Sequence, residues 1–141
     1  MSMRRLGIDY GSKRVGLALT DEPGGFAYPL VVLSNGPKLL AQIKAICRDE
    51  KVEEIVLGES LNFHRRQNPI MRAVLKFKLR LEGFTGLPVV FEDETLTTRE
   101  ASYELGRPAR TKHVRSGKDA MLDARAAAII LRQYLEKIRL R

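Results

Sequence analysis

The chain has 141 residues, enough for a single domain over residues 1–141 with its own core, and 44% of them are hydrophobic, which excludes a disordered chain. Lysine and arginine number 25 against 17 acids, and the resulting formal net charge of +8 favours a polyanionic partner, nucleic acid first. A surface that is basic only for solubility is the alternative. No hydrophobic run approaches the roughly 20 residues that a membrane span needs, so no membrane partner is expected.

The start of the chain and its cysteine usage bear on the compartment. The segment MSMRRLGIDY enters a strand pattern at once, which predicts that no signal peptide precedes the domain. The single cysteine, Cys47, lies in the helical pattern LLAQIKAICRDE, and we interpret it as a small buried hydrophobic residue rather than a reactive thiol. We therefore expect a reducing, cytoplasmic setting.

The first part of the chain is typical of three strands with tight connections. We predict strands at 4–9, 14–20 and 26–33, with Gly11 free to take a positive φ in the first turn. Pro29 has no backbone N–H, so the third strand should lie at an edge or carry a bulge. These features predict an antiparallel meander.

Helices and strands alternate in the rest of the chain. NGPKLLAQIKAICRDEKV predicts a helix with Pro37 in its first turn and its hydrophobic face at Leu39, Leu40, Ile43 and Ile46. Next come a buried strand at 54–58, a helix from the N-cap Asn68, a strand at 87–94, a helix with a Thr97–Glu100 capping box, a basic loop from Gly106 to Lys118, and a terminal helix over 119–141.

This alternation implies right-handed crossovers and parallel pairing in the second half of the chain. We predict an α/β fold with a mixed five-stranded sheet, helices on both faces, and the order β-β-β-α-β-α-β-α-α.

Three acids occupy places where strands or a helix would bring them to one edge of the sheet. Asp9 ends the first strand, Glu94 stands where the last strand stops, and Asp123 lies on the alanine-rich terminal helix, which can pack closely on the sheet. Converging carboxylates repel one another unless a cation neutralises them. Their oxygens suit Mg²⁺ or Mn²⁺, and two such ions clamp a phosphodiester for in-line attack. Acids that hold metal and cations that hold the nucleic-acid backbone are typical of a nuclease.

Each acid also has an ordinary interpretation. Asp9 could be a turn or cap residue, and Asp123 could be a helix-face charge paired with Lys118 or Arg125. Glu94 could simply stabilise the start of the following helix, where negative charge is favourable. Each ordinary interpretation is reasonable for its own acid, but it is less plausible that all three apply at once.

Three motifs carry a family resemblance. IDYGSKRVGLALTD, DETLTTREA and DARAAAIIL, in this order, resemble the YqgF/RuvX family over essentially the whole chain. The resemblance implies an RNase H-like fold and the activity of a Holliday junction resolvase or of a nuclease that matures the 5′ end of precursor 16S rRNA. It also implies that Asp9, Glu94 and Asp123 are the catalytic acids and the ligands of one or two Mg²⁺ or Mn²⁺ ions.

Two stretches depart from the family pattern. Thr95 replaces the arginine of the family's DER, which puts one substrate contact or supporting salt bridge in doubt. After the fourth strand, GESLNFHRRQNP stands where the family has GLPLNMDG followed by a polar stretch. We interpret Glu59 as a solvent-facing loop residue, with a fourth acid at the same edge as the alternative, and His64 as a loop residue rather than a metal ligand.

The cations expected to bind nucleic acid cluster in predicted loops around the acid edge. They are Lys13, Arg14, Arg65, Arg66, Arg110, Lys112, Arg115 and Lys118. Such contacts neutralise phosphates, which gives strong salt dependence and little sequence information. With 6% aromatic residues and no tryptophan, extended base stacking is not expected.

The sequence therefore predicts a metal-dependent nuclease acting on precursor rRNA or on branched or single-stranded DNA. A non-catalytic nucleic-acid-binding module of the same fold is the alternative. DYGSKRVG also resembles the phosphate-binding hairpin of the actin and sugar-kinase superfamily, but those proteins close two such domains around ATP, and the motif occurs once here. The choice between RNA and DNA, and between monomer and homodimer, stays open.

Overall fold

The computed structural model describes residues 3–59, 69–93 and 117–140. The strands are β1 (Arg5–Tyr10), β2 (Arg14–Thr20), β3 (Ala27–Ser34), β4 (Glu54–Glu59) and β5 (Val89–Asp93), and the helices are α1 (Leu39–Asp49), α2 (Pro69–Thr85) and α3 (Gly117–Arg139). In the described part, element types and order agree with the prediction. Asn68, the Thr97–Glu100 helix and most of the Gly106–Lys118 loop lie outside it.

The five strands form one mixed sheet in the order β3-β2-β1-β4-β5. The β1–β2 and β2–β3 pairs are antiparallel, and the β1–β4 and β4–β5 pairs are parallel, as predicted. Pro29 lies on the edge strand β3, opposite a register shift at Leu17/Ala18. Both expectations for Pro29, an edge and an irregular pairing, are confirmed.

One face of the sheet packs against α1 and α2. Leu6, Ile8, Leu17 and Leu19 from the strands join the helical stripes that the 3- and 4-residue spacings predicted, namely Leu39 and Ile43 on α1 with Val74, Phe77 and Leu81 on α2. Cys47 belongs to the same core and is 5% exposed, and its burial raises its pKa to about 11. The thiol therefore stays protonated at neutral pH, as expected of a packing residue.

The other face of the sheet packs against α3 at very short range. A Cβ on Gly7 would lie 2.9 Å from the carbonyl oxygen of Ala127 and 3.0 Å from Cβ of Leu131. Ala124 and Ala127 are fully buried in this contact. The prediction that small residues let the terminal helix approach the sheet is confirmed, and glycines on the strands complete the fit.

Three local predictions are wrong. Helix α1 begins at Leu39, because the Leu39 amide bonds the Gly36 carbonyl at 3.1 Å and keeps Pro37 in a turn before the helix. Gly11 does not have a positive φ; glycine is needed there because a Cβ would lie 2.6 Å from the Arg14 carbonyl oxygen. Helix α3 begins at Gly117, earlier than predicted, so the backbone of Lys118 is helical rather than part of a loop.

None of the helices in these described ranges has the length and hydropathy required to cross a bilayer.

Candidate active site at the carboxyl edge of the sheet

Asp9 lies near the carboxyl end of the central strand β1, on the α3 side of the sheet. Its register partner on β2 is Gly16, and residues directly opposite each other in an antiparallel pair share a face. Its neighbours Ile8 and Tyr10 belong to the opposite face, where they pack with the α1–α2 core. Asp9 is half-buried, so it is not part of the closed core.

Gly16 brings Asp123 to the same place. A Cβ on Gly16 would collide with the carbonyl group of Asp123 and lie 2.7 Å from the backbone nitrogen of Ala124. The α3 backbone at Asp123 therefore rests directly on β2, at the residue that pairs with Asp9. Two of the three predicted acids, far apart in sequence, are thus neighbours at one edge of the sheet.

Arg14, the first residue of β2, pairs with Asp123. Its Nε donates to Oδ2 of Asp123 at 2.9 Å, and the two side chains are 36% and 25% exposed. This described partner of Asp123 belongs to β2, the strand on which α3 rests, and not to α3 itself. This position already attracts a cation to an aspartate carboxylate.

A cavity of about 330 Å³ opens at this edge, lined by Gly11, Ser12, Lys13, Arg14 and Asp123. A water molecule occupies about 30 Å³ in the liquid, so the cavity has room for a phosphate group together with a hydrated ion. Two cations and one carboxylate line its wall, and the second aspartate, Asp9, lies two residues before Gly11 in the chain. The β1–β2 turn therefore carries the positive charge directly beside the acids.

The donor chemistry fits a divalent ion. Carboxylate oxygens are the ligands that Mg²⁺ and Mn²⁺ prefer, and Asp9 and Asp123 are both partly exposed, so an ion can reach them. Within residues 3–59, 69–93 and 117–140, no three histidine, cysteine or acidic side chains are grouped closely enough to hold a metal. The third predicted ligand, Glu94, lies outside these ranges.

Several other predicted residues also lie outside the described part of the chain. They are Arg65, Arg66, Arg110, Lys112 and Arg115, together with His64 and Thr95. The backbone of Lys118 lies in the first turn of α3 and that of Glu59 ends β4, but their side chains are not among those described. Their assigned roles stay predictions.

Glu92 is an acid to which the sequence analysis gave no role. It pairs in register with Gly58, which places it on the α3 face, and it is 5% exposed. Its Oε2 lies 2.8 Å from Nζ of Lys137, an ion pair without hydrogen-bond geometry. Glu92 therefore attaches the end of α3 to β5. The alternation in VVFED, which puts Glu92 on the same face as Val90, was the available signal.

Comparison with known proteins agrees with this architecture. A family model described as RuvX, Holliday junction resolvase, matches residues 3–137. A protein of Syntrophus aciditrophicus named "Putative pre-16S rRNA nuclease" is 39% identical over 138 residues, which are 96% of this chain and 90% of that protein. A protein of the same name from Streptococcus pneumoniae is 34% identical over 139 residues, 96% of this chain and 99% of that protein.

Two solved structures share the fold. RuvC of Thermus thermophilus in complex with a Holliday junction substrate has a TM-score of 0.58 at 19% identity, covering 96% of both chains. The fowlpox virus resolvase with Holliday junction DNA has a TM-score of 0.56 at 10% identity, covering 96% of this chain and 99% of the other. These likenesses confirm the predicted RNase H-like fold. With the model match over residues 3–137 and two relatives of nearly the same length, the chain belongs to the RuvX family.

Proposed function

We propose that this chain is a metal-dependent nuclease that hydrolyses phosphodiester bonds in nucleic acid. Its proposed substrates are the 5′ end of precursor 16S rRNA, which the names of the relatives favour, and branched or single-stranded DNA, which the junction-bound structural neighbours favour. The proposal includes Mg²⁺ or Mn²⁺ as the cofactor.

The observation that carries the proposal is the contact between Gly16 and the backbone of Asp123. Because Gly16 is the register partner of Asp9, this contact brings two aspartates from opposite ends of the chain to one edge. A structural role alone does not require two carboxylates beside one cation of the turn and another at the start of β2. Acids for an ion and cations for a phosphate are what metal-assisted phosphodiester hydrolysis uses.

In the proposed mechanism, the acids bind metal and the neighbouring cations bind phosphate. Asp9 and Asp123, with Glu94 as the third acid, would hold one or two divalent ions. A bound ion would supply Lewis-acid activation of the phosphate and of the attacking water. Lys13 and Arg14 line the cavity and would bind the phosphate on the other side. In this scheme Arg14 leaves Asp123 for the phosphate, so that each charge keeps an opposite partner.

The remaining predicted cations would hold the nucleic acid away from the reacting bond. Arg65, Arg66, Arg110, Lys112, Arg115 and Lys118 are proposed to contact backbone phosphates. The net charge of +8 supports this role, since counterion release from several phosphates provides affinity that is independent of sequence.

A cleavage panel tests the proposal. The wild-type chain and Asp9→Asn are incubated with a four-way DNA junction, single-stranded DNA and precursor 16S rRNA, with Mn²⁺ and with EDTA in its place. Wild type should cleave at least one substrate with Mn²⁺, leaving 5′-phosphate and 3′-hydroxyl ends, and EDTA should abolish the reaction. Asp9→Asn should lose cleavage. In the absence of metal it should still bind the same substrate with the affinity of wild type.

The same panel separates the proposed nuclease from a non-catalytic binding module. A binding module would cleave none of the substrates under any condition, and Asp9→Asn would bind unchanged or slightly tighter after losing a negative charge. Cleavage at full rate in EDTA would refute the metal-dependent mechanism.

A further inference from the structure

A second cavity opens at the same edge of the sheet but on its opposite face. It has a volume of about 290 Å³ and lies between the end of β1, the start of α1 and one side of α2. Tyr10 and Phe77 form an aromatic wall, stacked with their ring centroids 4.4 Å apart. The nuclease scheme above does not use this cavity.

The charged side chains that line the cavity are both cations. Lys76 and Arg80 lie one turn apart on α2, and both are exposed. Like charges at this spacing destabilise a helix, and an anion between them would offset that repulsion. The acid on this helix, Glu82, pairs with Lys78 at 2.9 Å instead.

The start of α1 adds to the positive potential. Its N-cap is Lys38, no side chain caps the helix by a hydrogen bond, and no acid lies in its first turn. A cation is the less favourable charge at a helix N-terminus, because the helix dipole is positive there. The helix start alone would not define a site; here it opens into a cavity that two cations already line.

The β1–β2 turn connects the walls of the two cavities. Gly11 lines the first cavity, and its carbonyl accepts a hydrogen bond from Nδ2 of Asn35, which lines the second, at 2.7 Å. Asp9 and Tyr10 are consecutive residues of β1 and belong to opposite faces. An extended strand of nucleic acid that crosses this turn therefore reaches both cavities.

We propose that the cavity beside Tyr10 binds a backbone phosphate of the same nucleic-acid strand whose neighbouring bond lies at the Asp9–Asp123 edge. Lys76 and Arg80 neutralise the phosphate, and the Tyr10–Phe77 wall contacts the attached sugar or base. This inference rests on the proposed function, because that function places the nucleic-acid strand at the Asp9–Asp123 edge. The phosphate binding itself requires no metal and no cleavage.

Salt-dependent binding tests the site. The affinity for a short fluorescein-labelled single-stranded RNA is measured by anisotropy in EDTA over a range of KCl concentrations. The test variant is Lys76→Gln/Arg80→Gln. The matched control is Lys51→Asn/Arg132→Gln, which removes two positive charges from exposed residues that do not line the cavity. Thermal melts followed by circular dichroism establish that both variants are folded.

The expected result is a shallower salt dependence in the test variant alone. On single strands each lost phosphate contact lowers the slope of log K against log salt by about 0.7, and we expect this decrease when the one phosphate in the cavity is no longer neutralised. The control should keep the wild-type slope. Equal slopes in the test variant and the control, or no measurable binding by wild type, would overturn the proposal.

Amide NMR locates the contact directly. The ¹⁵N–¹H resonance of Gly36, at the mouth of the cavity, should shift when the RNA is added to wild type and should not shift in Lys76→Gln/Arg80→Gln. If wild type shows these shifts and slopes but cleaves none of the substrates with Mn²⁺, the proposed function fails and the cavity assignment stands. If wild type cleaves and the test variant binds with the wild-type slope, the cavity assignment fails alone.

Discussion

Arg14 compensates one of the two negative charges of Asp9 and Asp123 when no metal ion is bound. Its guanidinium neutralises Asp123, so the site does not hold two uncompensated carboxylates beside each other. The pair is more than one-third exposed on the arginine side, which makes it weak enough to exchange. Under the proposed function, a divalent ion would therefore compete with Arg14 for Asp123.

Replacing Arg14 should expose this competition. We expect Arg14→Gln to bind Mn²⁺ up to about fivefold more tightly, since exposed ion pairs are worth about 0.2–1 kcal/mol, and to bind single-stranded RNA more weakly. Isothermal titration calorimetry measures the first effect and anisotropy the second, with Arg132→Gln as the control. Unchanged or weaker Mn²⁺ binding in Arg14→Gln would contradict the competition.

For single residues, the sequence indicates which acids are candidates for the site more readily than it indicates their ion-pair partners. Asp9 and Asp123 stand out because each acid occurs in an otherwise hydrophobic or alanine-rich segment. The Arg14–Asp123 pair could not be predicted, because its members are 109 residues apart. Its formation depends on the rotation of α3 about its own axis, which the Gly16 contact determines.

The close packing of α3 against the sheet determines the position of Asp123. Helix and strand touch through backbone atoms at Gly16, so that contact leaves no room for a side chain. Any side chain at this position must displace the helix and, with it, the carboxylate.

Gly16→Ala should therefore be both less stable and weaker in metal binding. Overpacking of a close contact typically costs about 1–3 kcal/mol, and we expect the upper part of this range from urea unfolding. Gly83→Ala is the control: it lies in α2 with no atom within 4 Å of its added Cβ and should gain up to about 1 kcal/mol. Wild-type stability and Mn²⁺ affinity in Gly16→Ala would show that α3 does not position Asp123.

The far end of α3 depends on the Glu92–Lys137 pair. Glu92 is buried while the Lys137 side chain is 59% exposed, so removal of the lysine leaves a buried carboxylate with partial access to water. We expect Lys137→Met to cost about 2 kcal/mol in urea unfolding, below the 3–5 kcal/mol of a fully buried pair. Glu92→Leu/Lys137→Met should recover most of the loss. A single variant as stable as wild type would mean that the pair contributes nothing.

Elements were predictable where periodicity is strong. The stripes Val74–Phe77–Leu81 and Leu39–Ile43 follow helical spacing, and Pro29 marks an edge strand by its missing N–H. The start of α1 was mispredicted because a turn from Gly36 to Leu39, tied through Asn35 to the β1–β2 turn, holds Pro37 outside the helix. Such long-range bonds do not appear in a local pattern.

Across the whole molecule, the fold collects opposite charges at one edge. The chain is strongly basic, yet its central strand and its last helix bring two acids together beside the β1–β2 turn, with a cationic cavity on the opposite face. The mixed sheet, antiparallel in its first half and parallel in its second, followed from the order of the elements, and the RNase H-like fold followed from the family resemblance. The second cavity did not, since it forms only when α2 packs beside β1.

Anomalous X-ray scattering from crystals soaked in Mn²⁺ tests the central claim most directly. We expect a Mn²⁺ peak within direct coordination distance of carboxylate oxygens of both Asp9 and Asp123, with Arg14 released from Asp123. Mn²⁺ bound elsewhere, or no peak between these two aspartates at saturating Mn²⁺, would contradict it.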